Sequence, residues 1–194
     1  MPEIFLFILF ALLTIAAGEF QNLALLHGNP FFFLGALVVY SIVAIVFYFI
    51  GKVLDKITGR RADIFGYFIA GLIGLVIIEW ILLKNHPGSG KGALQAGMFA
   101  WWAALYMVPR IFTKEEGKVA RKRVAIALIA YSVISLAVTI ATFNGAFTGL
   151  LLALGFIIIN FQFLPYFERD GKRRWLRIFM WLLIIGFIVN VAMW

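Results

Sequence analysis

The stretch FFFLGALVVYSIVAIVFYFI at residues 31–50, the turn GKVLDKITGRRAD at 51–63 and the stretch IFGYFIAGLIGLVIIEWILL at 64–83 decide the fold class. Two apolar runs of about twenty residues flank a short basic turn. At 1.5 Å per residue, about twenty apolar residues match the hydrocarbon core of a bilayer. No water is available there, so each run must satisfy its own backbone polar groups, and a helix does so. Outward from this hairpin lie five more apolar runs: Glu3 to Ala17, Ala93 to Val108, Val124 to Phe143, Ala146 to Tyr166 and Trp175 to Val191. The expected architecture is an all-α polytopic membrane protein, a compact bundle of seven transmembrane helices in one domain covering residues 1–194. The first run is short. A six-span arrangement, with that run as a re-entrant or surface helix, keeps every loop on the same side. It lacks a basic leader, so it reads as a retained helix rather than a signal peptide.

Composition agrees with this class. The 194 residues are 64% hydrophobic and only 13% charged, with mean hydropathy +1.01, whereas soluble domains carry about 25% charged residues. A soluble enzyme, a nucleic-acid-binding module and a disordered regulator are excluded. The formal charge of +8 comes from 17 Lys and Arg against 9 acids. Fifteen of the 17 fall between Lys52 and Arg61, Arg110 and Arg123, or Arg169 and Arg177. The remaining two, Lys84 and Lys91, lie on the other side. The positive-inside rule places the three basic turns in the cytoplasm, so the N-terminus is expected inside and the C-terminus outside. The partners this implies are membrane lipids, including anionic headgroups, not nucleic acid. The expected location is the cytoplasmic membrane of a prokaryote. Trp80, Trp175 and Trp194 sit at span ends, as an aromatic belt would place them. The absence of cysteine excludes disulfides, thiolate catalysis and cysteine-ligated metals.

The three basic turns contain Gly59, Gly117 and Gly171, spaced 58 and 54 residues apart, and Pro109 and Pro165 precede the last two. An internal repeat would produce this pattern. The simpler account is that any inside hairpin uses Gly, Pro and basic residues at its turn. Small residues at four-residue spacing mark close helix contacts in lipid. They occur as Gly66/Ala70/Gly74, Ala96/Ala100/Ala104 and Gly145/Gly149/Ala153.

Polar groups inside the apolar runs are the candidate functional residues, because they are costly in lipid and usually face the bundle interior. Glu79 is the only acid well within a run. Gln95, Trp102 and Tyr106 share one face of the fourth run, where an amide and two rings could cradle a ligand. Ser135 and Thr139 belong to a hydroxyl stripe, Ser132 to Thr142, on one face of the fifth. These six residues, Glu79, Gln95, Trp102, Tyr106, Ser135 and Thr139, form the expected ligand-binding set, bordering a polar cavity that opens outward. The competing readings are an interfacial glutamate, aromatic packing, and Ser/Thr bonding to carbonyls four residues back. Asn160 and Asn190 read as helix–helix hydrogen bonds. His27 and His86, with Glu19 and Glu79, lack the dense spacing of a metal site, so neither a metal nor another cofactor is expected.

Tempting motifs fail on spacing. HPGSGKG at 86–92 has Asn85 where a phosphate loop needs its first glycine, and Gly92 where it needs Ser or Thr. Its Gly-Ser-Gly lacks the nucleophile-elbow spacing. Three function classes remain. The first expectation is a small-molecule transporter or its membrane-embedded binding component. The second is a non-catalytic accessory subunit packed against partner membrane subunits, suggested by the short loops and 21 Phe. The third is a lipid-active enzyme holding a phosphate headgroup on Arg110, Arg121 and Arg173, which lacks a nucleophile beside those arginines. On balance an enzyme is not expected.

Overall fold

The computed structural model describes every residue except 1, 27, 29, 90–91, 168–172 and 193–194. The expectations placed on His27, Lys91, Gly171 and Trp194 therefore lie outside the described residues. The described residues are 94% helical, and no strand occurs among them. In order the helices are α1 (Glu3–Glu19), α2 (Pro30–Thr58), α3 (Ala62–Leu72), α4 (Gln95–Thr113), α5 (Lys118–Thr142), α6 (Gly145–Phe161), the single turn α7 (Leu164–Phe167) and α8 (Arg173–Ala192). Two of them continue in wider π-helical form, α1 through Phe20–Leu26 and α3 through Ile73–Leu82. Five helices are long and apolar enough to cross a membrane: Phe31–Thr58, Ala62–Leu82, Glu115–Thr142, Gly145–Phe167 and Arg174–Ala192. This all-helical architecture, with several apolar helices of spanning length, is consistent with an integral membrane protein.

α4 is the hub. Fourteen of its nineteen residues, Gly97 and Phe99 through Ile111, are buried. A helix apolar on every side belongs in the centre of a bundle, and α3, α6, α1, α8 and α5 surround this one. Sequence reading ended this helix at Val108, on the expectation that Pro109 opens a turn. Instead the helix runs through Pro109 to Thr113, whose hydroxyl donates to the Pro109 carbonyl at 2.8 Å. One extra turn carries Arg110 into the interior.

α1 also runs beyond the expected Ala17. It buries Phe7, Ala11, Thr14, Ile15 and Gly18 along one stripe. A Lys52–Glu3 ion pair at 2.5 Å anchors its start beside the late part of α2, and Tyr40 meets Glu19 at its end. Seventeen residues cover about 25 Å, so α1 runs along much of the bundle's length, with Phe5, Leu9 and Leu13 exposed on its outer flank.

Bulky side chains of α4 fill the notches left by small residues on its neighbours. A Cβ added to Gly66 would lie 2.1 Å from the Tyr106 ring, and one on Gly74 would lie 1.9 Å from Trp102 Cγ. The α3 stripe is therefore a seat for α4 aromatics. Against α6 the backbones themselves meet, since a Cβ on Gly97 would lie 2.3 Å from Ala153 Cα. Asn160 fixes the same contact by donating to the Ala100 carbonyl at 2.9 Å. Asn190 bonds within its own helix, to Gly186 at 2.6 Å. By contrast Gly149 has only Leu94 near it, at 3.8 Å, and Gly145 is exposed.

At the basic end, α2, α3, α4 and α7 are tied by one ion network. Arg110 is 2% exposed and forks onto Asp55, Nη1 to Oδ2 at 2.8 Å and Nη2 to Oδ1 at 2.6 Å. Its Nε donates to Asp63 at 2.6 Å. Lys114 reaches both carboxylates, and the Tyr166 hydroxyl donates to Asp63 at 2.5 Å. Two acids face two cations, so the network is charge-balanced.

Candidate binding site

The opposite end of the bundle is built differently. α3 reaches it in π-helical form, where successive turns are wider than in an α-helix. In that segment the buried residues are Gly74 and Glu79, five positions apart. Both meet the same side chain. Trp102 packs over Gly74, and its indole Nε1 donates to Glu79 Oε1 at 3.0 Å. The segment ends where Leu83 N–H reaches back to the Ile78 carbonyl at 2.9 Å and Asn85 N–H to the Glu79 carbonyl at 2.7 Å. Lys84, between them, is held at φ 59°, a left-handed conformation that a non-glycine residue rarely takes. That turn swings the Asn85 side chain back over the helix, where its Nδ2 donates to Glu79 Oε2 at 2.8 Å. Gln95, the first residue of α4, clamps the turn. Its amide donates to the Asn85 carbonyl at 2.9 Å, and its oxygen accepts from Trp80 Nε1 at 2.5 Å.

Glu79 is 7% exposed. Both of its oxygens accept N–H donors, and both donors are neutral. Among the described residues no lysine or arginine forms an ion pair with it. Next to it, Tyr40 of α2 lies tilted at 41° to Trp102 with ring centroids 5.4 Å apart and meets Trp101 edge-on at 6.1 Å. Its hydroxyl donates to Glu19 Oε1 at 3.2 Å. Trp101 is 2% exposed, and its indole Nε1 makes no hydrogen bond.

Glu19, Tyr40, Glu79, Asn85 and Trp101 border a cavity of about 320 Å³, while Gln95 and Trp102 are not in its wall. Five helices surround it: α1 with its extension (Glu19, Leu23), α2 (Ala36, Tyr40), the extension of α3 (Glu79, Leu83), α4 (Leu94, Met98, Trp101) and α6 (Gly149, Leu152, Ala153). Asn85 and Gly145 complete the wall. Of the residues lining the cavity, Leu83 and Gly145 are exposed and Asn85 is half-buried. Small residues at Gly145, Gly149 and Ala153 leave the space open. A volume of this size falls within the range of small-molecule pockets.

The six expected site residues separate into three groups. Glu79 and Trp102 bond directly, and Gln95 joins them through Asn85 and Trp80. Tyr106 stands apart, buried under Gly66 with the Arg110 guanidinium 5.6 Å from its ring. It belongs to the basic end. Ser135 and Thr139 are fully buried but face α6, where Thr139 Oγ1 lies 3.1 Å from Thr148 Oγ1, and Ser135 is not in the cavity wall. Elsewhere in that stripe, Ser132 and Thr142 donate to the carbonyls of Leu128 and Val138.

Glu19, Tyr40, Asn85 and Trp101 were not among the expected site residues. The sequence did hold a signal for Glu19: no proline follows Ala17 until Pro30, so nothing ends the first helix before the acid. Among the described residues no cluster of three or more His or acidic side chains could hold a metal. No protein-family model, curated protein or solved structure matches this chain.

Proposed function

We propose that the chain is a seven-helix protein of a cytoplasmic membrane that binds a small molecule in the Glu79 cavity, as a transporter or as the membrane-embedded binding component of one. In this reading the N-terminus and the basic turns face the cytoplasm, and the cavity faces outward. The single observation that carries the reading is the cavity itself. It is a 320 Å³ space among five helices, bordered by a buried carboxylate, whereas clefts of 310, 200 and 380 Å³ elsewhere among the described residues have no acid in their walls. Packing density in protein interiors leaves few voids of this size, and a polar one is costly to keep without use. The lipid-active alternative has less support. Arg110 is committed to Asp55 and Asp63, and Arg121 donates to the carbonyls of Ile111 and Lys114. The accessory-subunit reading draws on α2, whose Phe31, Phe32, Val38, Ile42, Phe49 and Ile57 are all more than half exposed. Lipid covers such a face equally well.

Purification in mild detergent from the native membrane, followed by native mass spectrometry, separates these readings. The expected result is a small molecule retained by the wild-type chain and absent from Gly149→Leu, whose side chain fills the cavity. A chain that carries no small molecule but brings a stoichiometric membrane subunit would overturn the binding reading in favour of the accessory one.

A further inference from the structure

We propose that the cavity is selective for organic cations: its ligand is a small ammonium compound with an apolar body and at least one hydrogen-bond acceptor. This rests on the binding reading above and adds the charge class of the ligand. Four independent observations point the same way.

The first is charge. Glu79 is buried, and its two oxygens accept hydrogen bonds from Trp102 and Asn85, the arrangement that satisfies an ionised carboxylate. Those donors are neutral, so they satisfy its lone pairs without cancelling its charge. A charge held within a membrane protein calls for a counter-charge, and among the described residues none is paired with Glu79. The contrast with the basic end is internal to the same molecule. There Asp55 and Asp63 each meet both Arg110 and Lys114.

The second is the second acid. Glu19 enters the cavity wall from α1, bridged to the aromatic wall by Tyr40. Two carboxylates in one small, partly enclosed space give it a negative potential that attracts cations and repels anions.

The third is the aromatic lining. Tyr40 and Trp101 border the space, with Trp102 in tilted contact with Tyr40. Ring faces attract ammonium groups, tryptophan most strongly, and quaternary ammonium compounds are recognised this way. Leu23, Leu83, Leu94, Met98 and Leu152 supply the apolar remainder, which suits an organic body better than a hydrated metal ion.

The fourth is the indole N–H of Trp101. It is buried in the wall without an acceptor, which leaves one donor for an oxygen of the ligand.

Three probes of nearly equal shape test the assignment: choline, its uncharged carbon isostere 3,3-dimethylbutan-1-ol, and the anion 3,3-dimethylbutanoate. Each is titrated against the purified full-length chain, read by the fluorescence of the tryptophans beside the cavity and by thermal shift. Choline should bind saturably and at least tenfold tighter than the alcohol, with the anion silent. In Glu79→Gln the preference of choline over the alcohol should fall below twofold. Glutamine keeps an acceptor for Trp102, so the helix contact survives. If that variant does not fold, Glu19→Gln, at a half-buried position, carries the test with the same expected direction. Equal binding of choline and alcohol, or a preference that survives both variants, overturns the cation class and leaves small-molecule binding standing. Stabilisation by sodium chloride that needs Glu79, with choline silent, also overturns it, in favour of a metal cation. If none of the three probes binds, the cation class falls, and the retention experiment above decides the binding reading on its own.

Discussion

Arg110 and Glu79 are both buried charges, and their surroundings treat them in opposite ways. Arg110 is matched by two carboxylates in bonding contact, so removing it leaves Asp63, itself 9% exposed, with less positive charge than it needs. Removing one partner of a buried ion pair costs about 3 kcal/mol or more. Lys114 is 22% exposed at its side chain, and water can replace it, so its loss should cost about 1 kcal/mol or less. Thermal melts in detergent should therefore rank Arg110→Met well below Lys114→Met, with Lys114→Met close to wild type; equal losses would mean that the network is not the buried lock its geometry suggests. How much of this was legible differs by residue. Glu79 was, because an acid inside an apolar run has few places to go. Trp102 and Gln95 were read together with Tyr106 from their shared face of the fourth run, and of the three only Tyr106 lies at the other end of the bundle. Arg110 was misread as a residue at the mouth of a turn, because proline usually ends a helix and here does not. Glu19 was left outside the first run, which was ended at Ala17 although the helix runs to Glu19 itself.

At the scale of elements, helical spacing told which residues share a face but not which neighbour that face meets. Ser135 and Thr139 fall on one buried side of α5, as their spacing required, yet the helix against that side is α6 and not the cavity wall. The α3 stripe was read correctly as small residues at contacts. What it accommodates, the rings of Tyr106 and Trp102, depends on tertiary packing that no spacing encodes. The π-helical stretch of Ile73–Leu82 was also invisible, because its five-residue interval from Gly74 to Glu79 differs from the α-helical period used to read it. On α4 the alanines at 96, 100 and 104 drew attention, while the closest backbone approach is made by Gly97. This gives a sharp comparison. Gly97→Ala would push a methyl to within 2.3 Å of Ala153 Cα and should cost about 1–3 kcal/mol as overpacking. Gly35→Ala, in α2 with nothing within 4 Å of the new carbon, should be neutral or stabilising by up to about 1 kcal/mol from helix propensity. Melting temperatures of the two variants check this, and a Gly97→Ala protein as stable as wild type would mean that α4 and α6 do not meet there.

At the scale of the whole molecule, the two ends have opposite character, an open acidic cavity at one and a charge-balanced lock at the other. The proposed function needs a definite orientation: the lock toward the cytoplasm, where the basic turns belong, and the cavity toward the outside. The proposed bundle has seven crossings, with α1 passing through the bilayer alongside the five helices that are long and apolar enough and the hub α4. The α1 geometry supports this, because Glu3 pairs with Lys52 near the basic end and Glu19 meets Tyr40 near the cavity. The absence of cysteine makes the orientation directly measurable with single introduced cysteines and a membrane-impermeant maleimide. Ser89→Cys, exposed beside the cavity end, should react in intact cells. Lys56→Cys and Glu115→Cys, exposed at the basic end, should react only after permeabilisation. Pro2→Cys, exposed before α1, decides the count. Protection in intact cells puts the N-terminus with the basic turns and makes α1 a crossing, whereas labelling there together with Ser89→Cys reduces the bundle to six crossings with α1 re-entrant. Reaction of Lys56→Cys and Glu115→Cys from outside, with Ser89→Cys protected, would turn the molecule over and point the cavity at the cytoplasm. The ligand would then be drawn from the cell interior rather than from the medium.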